Sequence, residues 1–403
     1  MERQFKDSGI AWADQIPVDW RVIKGKNLLN LMSRPVRQTD DVVTCFRDGE
    51  VVLRSERRTE GFTMSDKEIG YQGINKGDIV IHGMDGFAGA MGVSKSTGKG
   101  SPVLIVCTPK DNDDSRYIIY YLRAMAMNNV FLALATGIRE RSCDLRWNKI
   151  SDLPFIRPNA DEQKRIANYI DKKCGEIDEL IEVQEQMIQK LTDYKNSVIT
   201  EAVTKGLNPN VRLVPSGIDW IGDIPEGWNV CRIKDLVNLQ SGTNLTSLDI
   251  SDTGSYPVYG GNGMRGYYSH YSNDGDFILI GRQGALCGNI NYARGKFWAT
   301  EHAVICYPKR KFAYMWLGEL LRAMNLGQYS LSAAQPGLAV ERIKNLKMPL
   351  PSFDEQRYIA EYLNEKCSDI DSLIALKQQK IEKLKDYKKS VIYEAVTGKI
   401  VIA

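Results

Sequence analysis

The sequence predicts an α+β protein built from two mixed, β-rich globular domains joined by two long helices that form an antiparallel intramolecular coiled coil. Three observations carry this prediction. The 44 residues from Asp161 to Thr204 return from Asp354 to Thr397 with 26 identities, polar positions such as Asp193, Tyr194, Lys195 and Glu201 included, so the chain is duplicated. Both copies place apolar residues at alternating spacings of three and four, the period of a helix face. The regions before each copy alternate short Val, Ile and Phe runs with glycine and Asn-Gly turns, the pattern of strands.

A chain of 403 residues can bury a sizeable core and holds two or three domains by length alone. Each repeating unit begins with a leading motif, SGIxWxxxIPxxW. Ser8, Gly9, Ile10, Trp12, Ile16, Pro17 and Trp20 reappear as Ser216, Gly217, Ile218, Trp220, Ile224, Pro225 and Trp228. A variable middle follows. Gly77, Asp78 and Ile79 introduce an apolar run, HG and a glycine turn, while Gly275, Asp276 and Phe277 introduce a similar run and GRQG; helix is expected near 115–128 and 312–325. The boundaries read as 1–157 and 207–352 for the globular domains, with 158–206 and 353–403 for the long helices.

In the first helix Ile177, Leu180, Leu191, Tyr194 and Val198 lie on the apolar stripe, and Ile370, Leu373, Leu384, Tyr387 and Val391 repeat it in the second. Gln184 and Lys377 interrupt the stripes at equivalent positions. A helix over about 162–203 extends roughly 60 Å, too long to hide within one small domain. A whole domain connects the two helices, which makes an antiparallel pair sterically easy. Glu201 and Glu394 then remain available to a partner.

Eight dispersed cysteines without a CxxC pair, no secretory signal and no 18-residue apolar run point to a soluble, cytoplasmic protein. The formal net charge is only +3, from 53 basic and 50 acidic residues. Its distribution says more: 23 basic against 20 acidic residues in 1–160 and 14 against 11 in 206–353, the helical segments being acidic or neutral. That bias permits nucleic-acid binding in the middles.

Catalytic signatures are not found. GVSKSTGKG at 92–100 has five residues between its glycines instead of four, and Lys99 precedes Gly100 where a phosphate-binding loop needs a hydroxyl. The Asn/Asp-Pro-Pro-aromatic motif of amino-methylating enzymes is absent from the sequence, and Glu162 with Lys164 reads as the solvated first turn of a helix. His82, His270 and His302 stand alone, without the companions a metal or an acid-base pair needs. A noncatalytic chain with no metal or cofactor of its own is expected. What the middles offer is a surface for reading DNA. YPVYGGNGMRGYYSHY at 256–271 interleaves five tyrosines with Gly, Asn and Arg, and would set Tyr259, Asn262, Arg265 and Tyr268 against phosphates and base edges. Arg282 and Gln283 in GRQG, then Lys309 and Arg310, are further candidates, as are Arg54, Arg57, Arg58 and Lys95 in the first middle.

Taken together, SGIDWIGDIPEGW at 216–228, YPVYGGNGMRGYY at 256–268, GDFILIGRQGALCGNI at 275–290, FWATEHAVI at 297–305, MPLPSFDEQRYIAEYL at 348–363 and the paired EAVT ends resemble the DNA-specificity subunit of type I restriction-modification systems. The resemblance covers essentially the whole chain. It implies two target-recognition domains, each reading half of a bipartite DNA sequence, with the helices as a spacer. It further implies docking of two modification subunits that use S-adenosylmethionine to methylate adenine, and of restriction subunits that use ATP and Mg. The first domain departs from the pattern: its leading motif is SGIAWADQIPVDW, and GYQGINKGD at 70–78 is only a loose counterpart of YGGNGxxGY. A DNA-independent coiled-coil scaffold is the competing reading; it explains the helices and leaves the two slightly basic β-rich middles without a role.

Overall fold

The computed structural model describes residues 3–57, 69–133, 145–284, 286–330 and 337–402. The chain divides into two compact units, one of residues 1–184 with 379–403 and one of residues 185–378. Each unit therefore combines one β-rich middle, the first half of the long helix that follows it and the last half of the other long helix.

The units repeat one topology. In the first, the leading motif forms an antiparallel pair, Phe5–Asp7 with Gln15–Pro17, and Arg21–Lys24 pairs with Pro154–Arg157. A four-stranded antiparallel sheet runs in the order Leu29–Leu31, Leu104–Pro109, Ile79–His82, Met91–Val93. In the second, Leu213–Ile218 pairs with Gly222–Pro225, Asn229–Arg232 with Lys347–Leu350, and the sheet runs Val237–Ser241, Ala303–Pro308, Phe277–Gly281, Ile290–Ala293. The duplication that is faint in the sequence of the middles is plain in the strand order of these four-stranded sheets.

Strand alternation gives each sheet two cores. Ile79 and Ile81 pack with the helix Ser115–Met127, while Val80, between them, packs with Val43, Val51 and Val106. Ile278 and Ile280 likewise pack with the helix Tyr314–Ala323, and Leu279 with Phe297, Ala299 and Ile305. Burial on both faces explains why IVIH and FILIG read as unbroken apolar runs.

The long helices span Ala160–Lys205 and Phe353–Thr397. In the first unit Ile166, Ala167 and Ile170 at the start of one share a core with Ile392, Ala395 and Val396 at the end of the other. In the second unit Ile359 and Leu363 share a core with Ile199, Ala202 and Val203. The helices thus run antiparallel within each unit. Asp178 pairs with Lys388 at 2.7 Å in the first unit, and Lys195 with Asp371 at 2.7 Å in the second. Asp371 is the repeat of Asp178 and Lys388 of Lys195, so one contact is made twice and marks the register. Ile177, Ile370 and Val391 of the predicted stripe are buried; Leu191, Val198, Leu384 and Glu394 are half-buried; Leu180, Tyr194, Glu201, Leu373 and Tyr387 are exposed. Gln184 is buried and Lys377 half-buried.

The shared DEQ that opens each helix is a polar lock. Gln163 accepts the Asp114 N–H at 2.9 Å and donates to Asp113 at 2.7 Å and to the Pro158 carbonyl at 3.0 Å. Its repeat, Gln356, accepts the Ala313 N–H at 3.0 Å and donates to the Pro351 carbonyl at 3.1 Å. Glu162 is buried too, taking the Trp20 indole N–H at 2.9 Å and an ion pair from Arg3, which differs from the solvated first turn expected of it. Each helix ends on a glycine in the left-handed region, Gly206 at φ +73° and Gly398 at φ +74°. A Cβ on Gly398 would come within 2.6 Å of Pro17 of the leading motif, so a side chain there would clash as well as strain the backbone.

Replacing either buried amide, Gln163→Ala or Gln356→Ala, strands an N–H and a carbonyl and is expected to cost about 1–3 kcal/mol in denaturant unfolding. Lys388→Ala, which removes a largely solvent-facing pair, is expected to cost less than about 1 kcal/mol in the same measurement.

Candidate nucleic-acid interface

In each unit a hairpin reaches the loop that ends the central strand of the four-stranded sheet. The second unit builds it from Tyr256–Gly260 and Gly263–Tyr268. Glycine permits the approach: a Cβ on Gly281 would lie 2.2 Å from the Gly261 carbonyl, and one on Gly261 would lie 3.0 Å from that of Gln283. The Arg282 N–H donates to the His302 carbonyl at 2.8 Å, which ties in a third turn. The result is one cluster of the loops around 261, 282–284 with 286–288, and 301–302.

The structure brings most of the predicted second-domain residues to this cluster or the hairpin beside it. Asn262 and Arg265 are exposed on the hairpin; the Arg265 stem lies across Gly260, and Asn262 accepts a hydrogen bond from Asn289 at 3.4 Å. Tyr259 is half-buried, edge-on to Phe297, and Tyr268 stands edge-on to Trp298 at 5.2 Å. Arg282 donates to Ser241 at 3.2 Å, and exposed Gln283 bridges to Gly337. Lys309 and Arg310 are elsewhere. They follow Ala303–Pro308 at the opposite end of that strand, about 20 Å along it, with Lys309 on the Lys234 carbonyl at 2.9 Å.

The cluster also holds residues that the sequence did not point to as DNA contacts. His302 faces Glu301 at 3.1 Å, and three buried polar atoms, Asn291 Nδ2, Thr300 Oγ1 and Glu301 Oε2, have no protein partner. Unsatisfied buried groups are few in folded proteins and concentrate where something else completes the bonding. Only the adjacency of Glu301 and His302 was visible in the sequence.

In the first unit the corresponding hairpin is Val43–Cys45 with Val51–Leu53. GYQGINKGD does not take that place: Gln72–Ile74 pairs with Gly98–Gly100 instead. The turn 46–50 meets the loop 83–90 and the strand Met91–Val93 that follows it, where a Cβ on Gly92 would lie 2.0 Å from the Gly49 carbonyl, and Arg47 pairs with Asp85 at 2.8 Å. A concave pocket of about 550 Å³ opens here, lined by Thr44, Phe46, Asp48, Arg54, Arg57 and His82 among others. Arg54 donates to Thr44 at 3.3 Å; Arg57 pairs with Asp48 and Glu50, and Lys95 pairs with Glu50 at 2.8 Å. Arg58 lies outside the described residues.

Hydrogen bonding from Arg57 holds the Asp48 carboxyl below the usual carboxylate range. Burial pushes the Cys45 thiol up to about 12 and keeps it neutral. Burial also lowers the His82 pKa from its ordinary 6.5, with the Asp85 charge opposing the shift and Arg47 adding to it. His82 Nδ1 accepts the Asp85 N–H at 3.0 Å, a bond that protonation of that nitrogen removes. Among the described residues no three His, Cys, Asp or Glu side chains are grouped to hold a metal ion, and no helix is long and apolar enough to cross a membrane.

Two β-rich units of matching main-sheet order, each with its own polar loop cluster and its own antiparallel helix segments, define a protein with two separate sites of one recognition type. The family described as type I restriction modification DNA specificity domain matches residues 225–386. Over that stretch, and along the whole chain in some of its relatives, the protein is similar to type I restriction-modification specificity subunits and shares their DNA-specificity domain. It is 42% identical over 137 residues to the type I restriction enzyme EcoprrI specificity subunit of Escherichia coli, a match covering 33% of this chain and 34% of that one. With the MjaVIII specificity subunit of Methanocaldococcus jannaschii it shares 23% identity over 421 residues, 96% of this chain and 94% of the relative. The chain thus spans about a third of the first relative and nearly all of the second. Among solved structures, a chain from work on complex assembly and conformational transition of the type I R-M system has the same fold, with a TM-score of 0.73 at 14% identity over 96% of this chain and 99% of that one. The HsdS subunit from Thermoanaerobacter tengcongensis aligns with a TM-score of 0.51 at 15% identity over 96% and 98%.

Because the folded His82 has the lower pKa, the unfolded state binds the extra proton first on acidification. The stability tied to this residue is complete above about pH 6.5 and is lost as pH falls through its folded value. Thermal unfolding from pH 7.5 down to 5 is expected to fall less steeply in His82→Asn than in the unmodified protein.

Proposed function

We propose that the chain reads a bipartite DNA target, one half with each β-rich domain, and so directs adenine methylation and ATP-dependent restriction carried out by partner subunits. The single observation that supports this best is the paired arrangement of hairpin and strand-end loops. The same scaffold position carries Tyr259, Asn262, Arg265, Tyr268, Arg282 and Gln283 in one domain and Arg54, Arg57 and Lys95 in the other. Different residues on a shared frame are what reading two different half-sites requires. Phosphate contacts, for which Lys309, Arg310 and Arg58 are further candidates, supply salt-dependent affinity, and a few base contacts supply sequence preference.

In this reading 1–157 and 207–352 are target-recognition domains, and 158–206 and 353–403 are spacer and docking segments. Buried Ile177, Ile370 and Val391 hold the helices together. Exposed Leu180, Tyr194 and Glu201, with Leu373 and Tyr387, face two modification subunits in the cytoplasm, and restriction subunits complete the assembly. S-adenosylmethionine, ATP and Mg belong to those partners.

Mapping of adenine methylation in the host tests this directly. Deleting the gene is expected to abolish methylation at one two-part motif; an unchanged pattern in an otherwise active system refutes the reading and leaves the scaffold alternative. Inserting one heptad into both helices is expected to lengthen the unread gap between the half-sites, as read from the same methylation maps.

A further inference from the structure

The first domain lacks the YGGNGxxGY hairpin, yet the turn that occupies the equivalent place is highly organised. Arg57 Nη1 donates to Asp48 Oδ1 at 3.0 Å and to Glu50 Oε2 at 3.2 Å, Nη2 donates to Asp48 Oδ2, and the guanidinium stacks on Phe46 with its carbon 4.3 Å from the ring centroid. Lys95 Nζ donates to Glu50 Oε1 at 2.8 Å. Asp48 Oδ1 also accepts the Glu50 N–H at 3.0 Å. All of these side chains remain partly open to solvent, Glu50 at 35% and Lys95 at 66%.

The two carboxylates differ in what they have left to offer. Arg57 and the Glu50 N–H occupy Asp48. Each Glu50 oxygen accepts one described bond, and a carboxylate can accept about four, so about two acceptor positions stay open. A carboxylate is repelled by phosphates, so on a DNA-facing turn one with open acceptor positions is favourable where it meets amino donors at base edges. Arg57 and Lys95 offset part of that repulsion and fix where the acceptor points. We infer that Glu50 is a base-reading residue of the first domain, accepting a hydrogen bond from the exocyclic amino group of a cytosine or adenine, with Arg57 and Lys95 as its positioning residues. The inference rests on the DNA-specificity reading above and reassigns Arg57 and Lys95 from direct DNA contact to support.

The test is selection from a randomised duplex library by the full chain in its modification complex, comparing the unmodified protein with Glu50→Gln, Lys95→Ala and, in the second domain, Arg265→Ala. Glu50→Gln is expected to lose discrimination at one base pair of one half-site by on the order of tenfold. Its affinity for a scrambled duplex is expected to hold or rise, because a negative charge has been removed. The base favoured there by the unmodified protein tells cytosine from adenine. Lys95→Ala is expected to loosen the same position, whereas Arg265→Ala changes only the other half-site. Retained selection at the remaining positions of the first domain's half-site shows that this domain is folded in the Glu50 and Lys95 variants. If the unmodified complex selects a bipartite motif and both variants select it with undiminished discrimination, or lose affinity equally for all sequences, Glu50 is not a reader. If the unmodified complex selects no sequence, the specificity reading itself falls, and this inference with it.

Discussion

The last turns of each long helix complete the core in which the other long helix begins, and the rest of the structure depends on this exchange. Ile392, Ala395 and Val396 fill the core beside Ile166, Ala167 and Ile170, and Ile199, Ala202 and Val203 do the same beside Ile359 and Leu363. A fully buried Ile or Val contributes about 1.5–3 kcal/mol, so neither domain can close its core from its own contiguous segment without a large loss. This is why EAVT returns unchanged. Its Ala and Val are buried in both copies, its Thr caps a carbonyl one turn back, and the glycine close behind turns the chain where a side chain would be strained.

Polar groups make that exchange specific. Gln163 and Gln356 bridge the start of each long helix to the start of the domain helix, satisfying backbone groups that would otherwise be buried without partners. Tyr117 donates to the Val396 carbonyl at 3.4 Å and Tyr393 to the Trp12 carbonyl at 3.2 Å, so hydrogen bonds as well as apolar contacts join the last turns to the first domain. Exposed ion pairs are weak, but a Lys–Asp contact made identically in both units penalises a slipped register.

With assembly fixed by repeated segments, the loops at the sheet ends are free to differ. The second domain uses glycines to bring three turns together and displays Asn, Arg and Tyr. The first displays an arginine and a lysine bonded to two carboxylates on the turn of a short hairpin. A family whose role is DNA specificity needs this division of labour, because the frame must stay constant while the readers change.

The sequence by itself determined the duplication, the long helices and their antiparallel pairing, because these depend on local periodicity and on identities in register, such as Asp193, Tyr194 and Lys195 with their repeats. It also located the second-domain hairpin, whose Asn-Gly turn is a local signal. Tertiary structure decided what depends on pairing between distant segments. It placed residues 43–53, and not 70–78, at the first domain's sheet end. It separated Lys309 and Arg310 from the loops that hold Arg265 and Arg282, and it turned Glu162 from a solvated first-turn residue into a buried partner of Trp20. Strand order, and the burial that follows from it, are set by contacts between segments distant in the chain, such as Leu31 with Cys107 and Trp20 with Glu162, and no local window of sequence contains them.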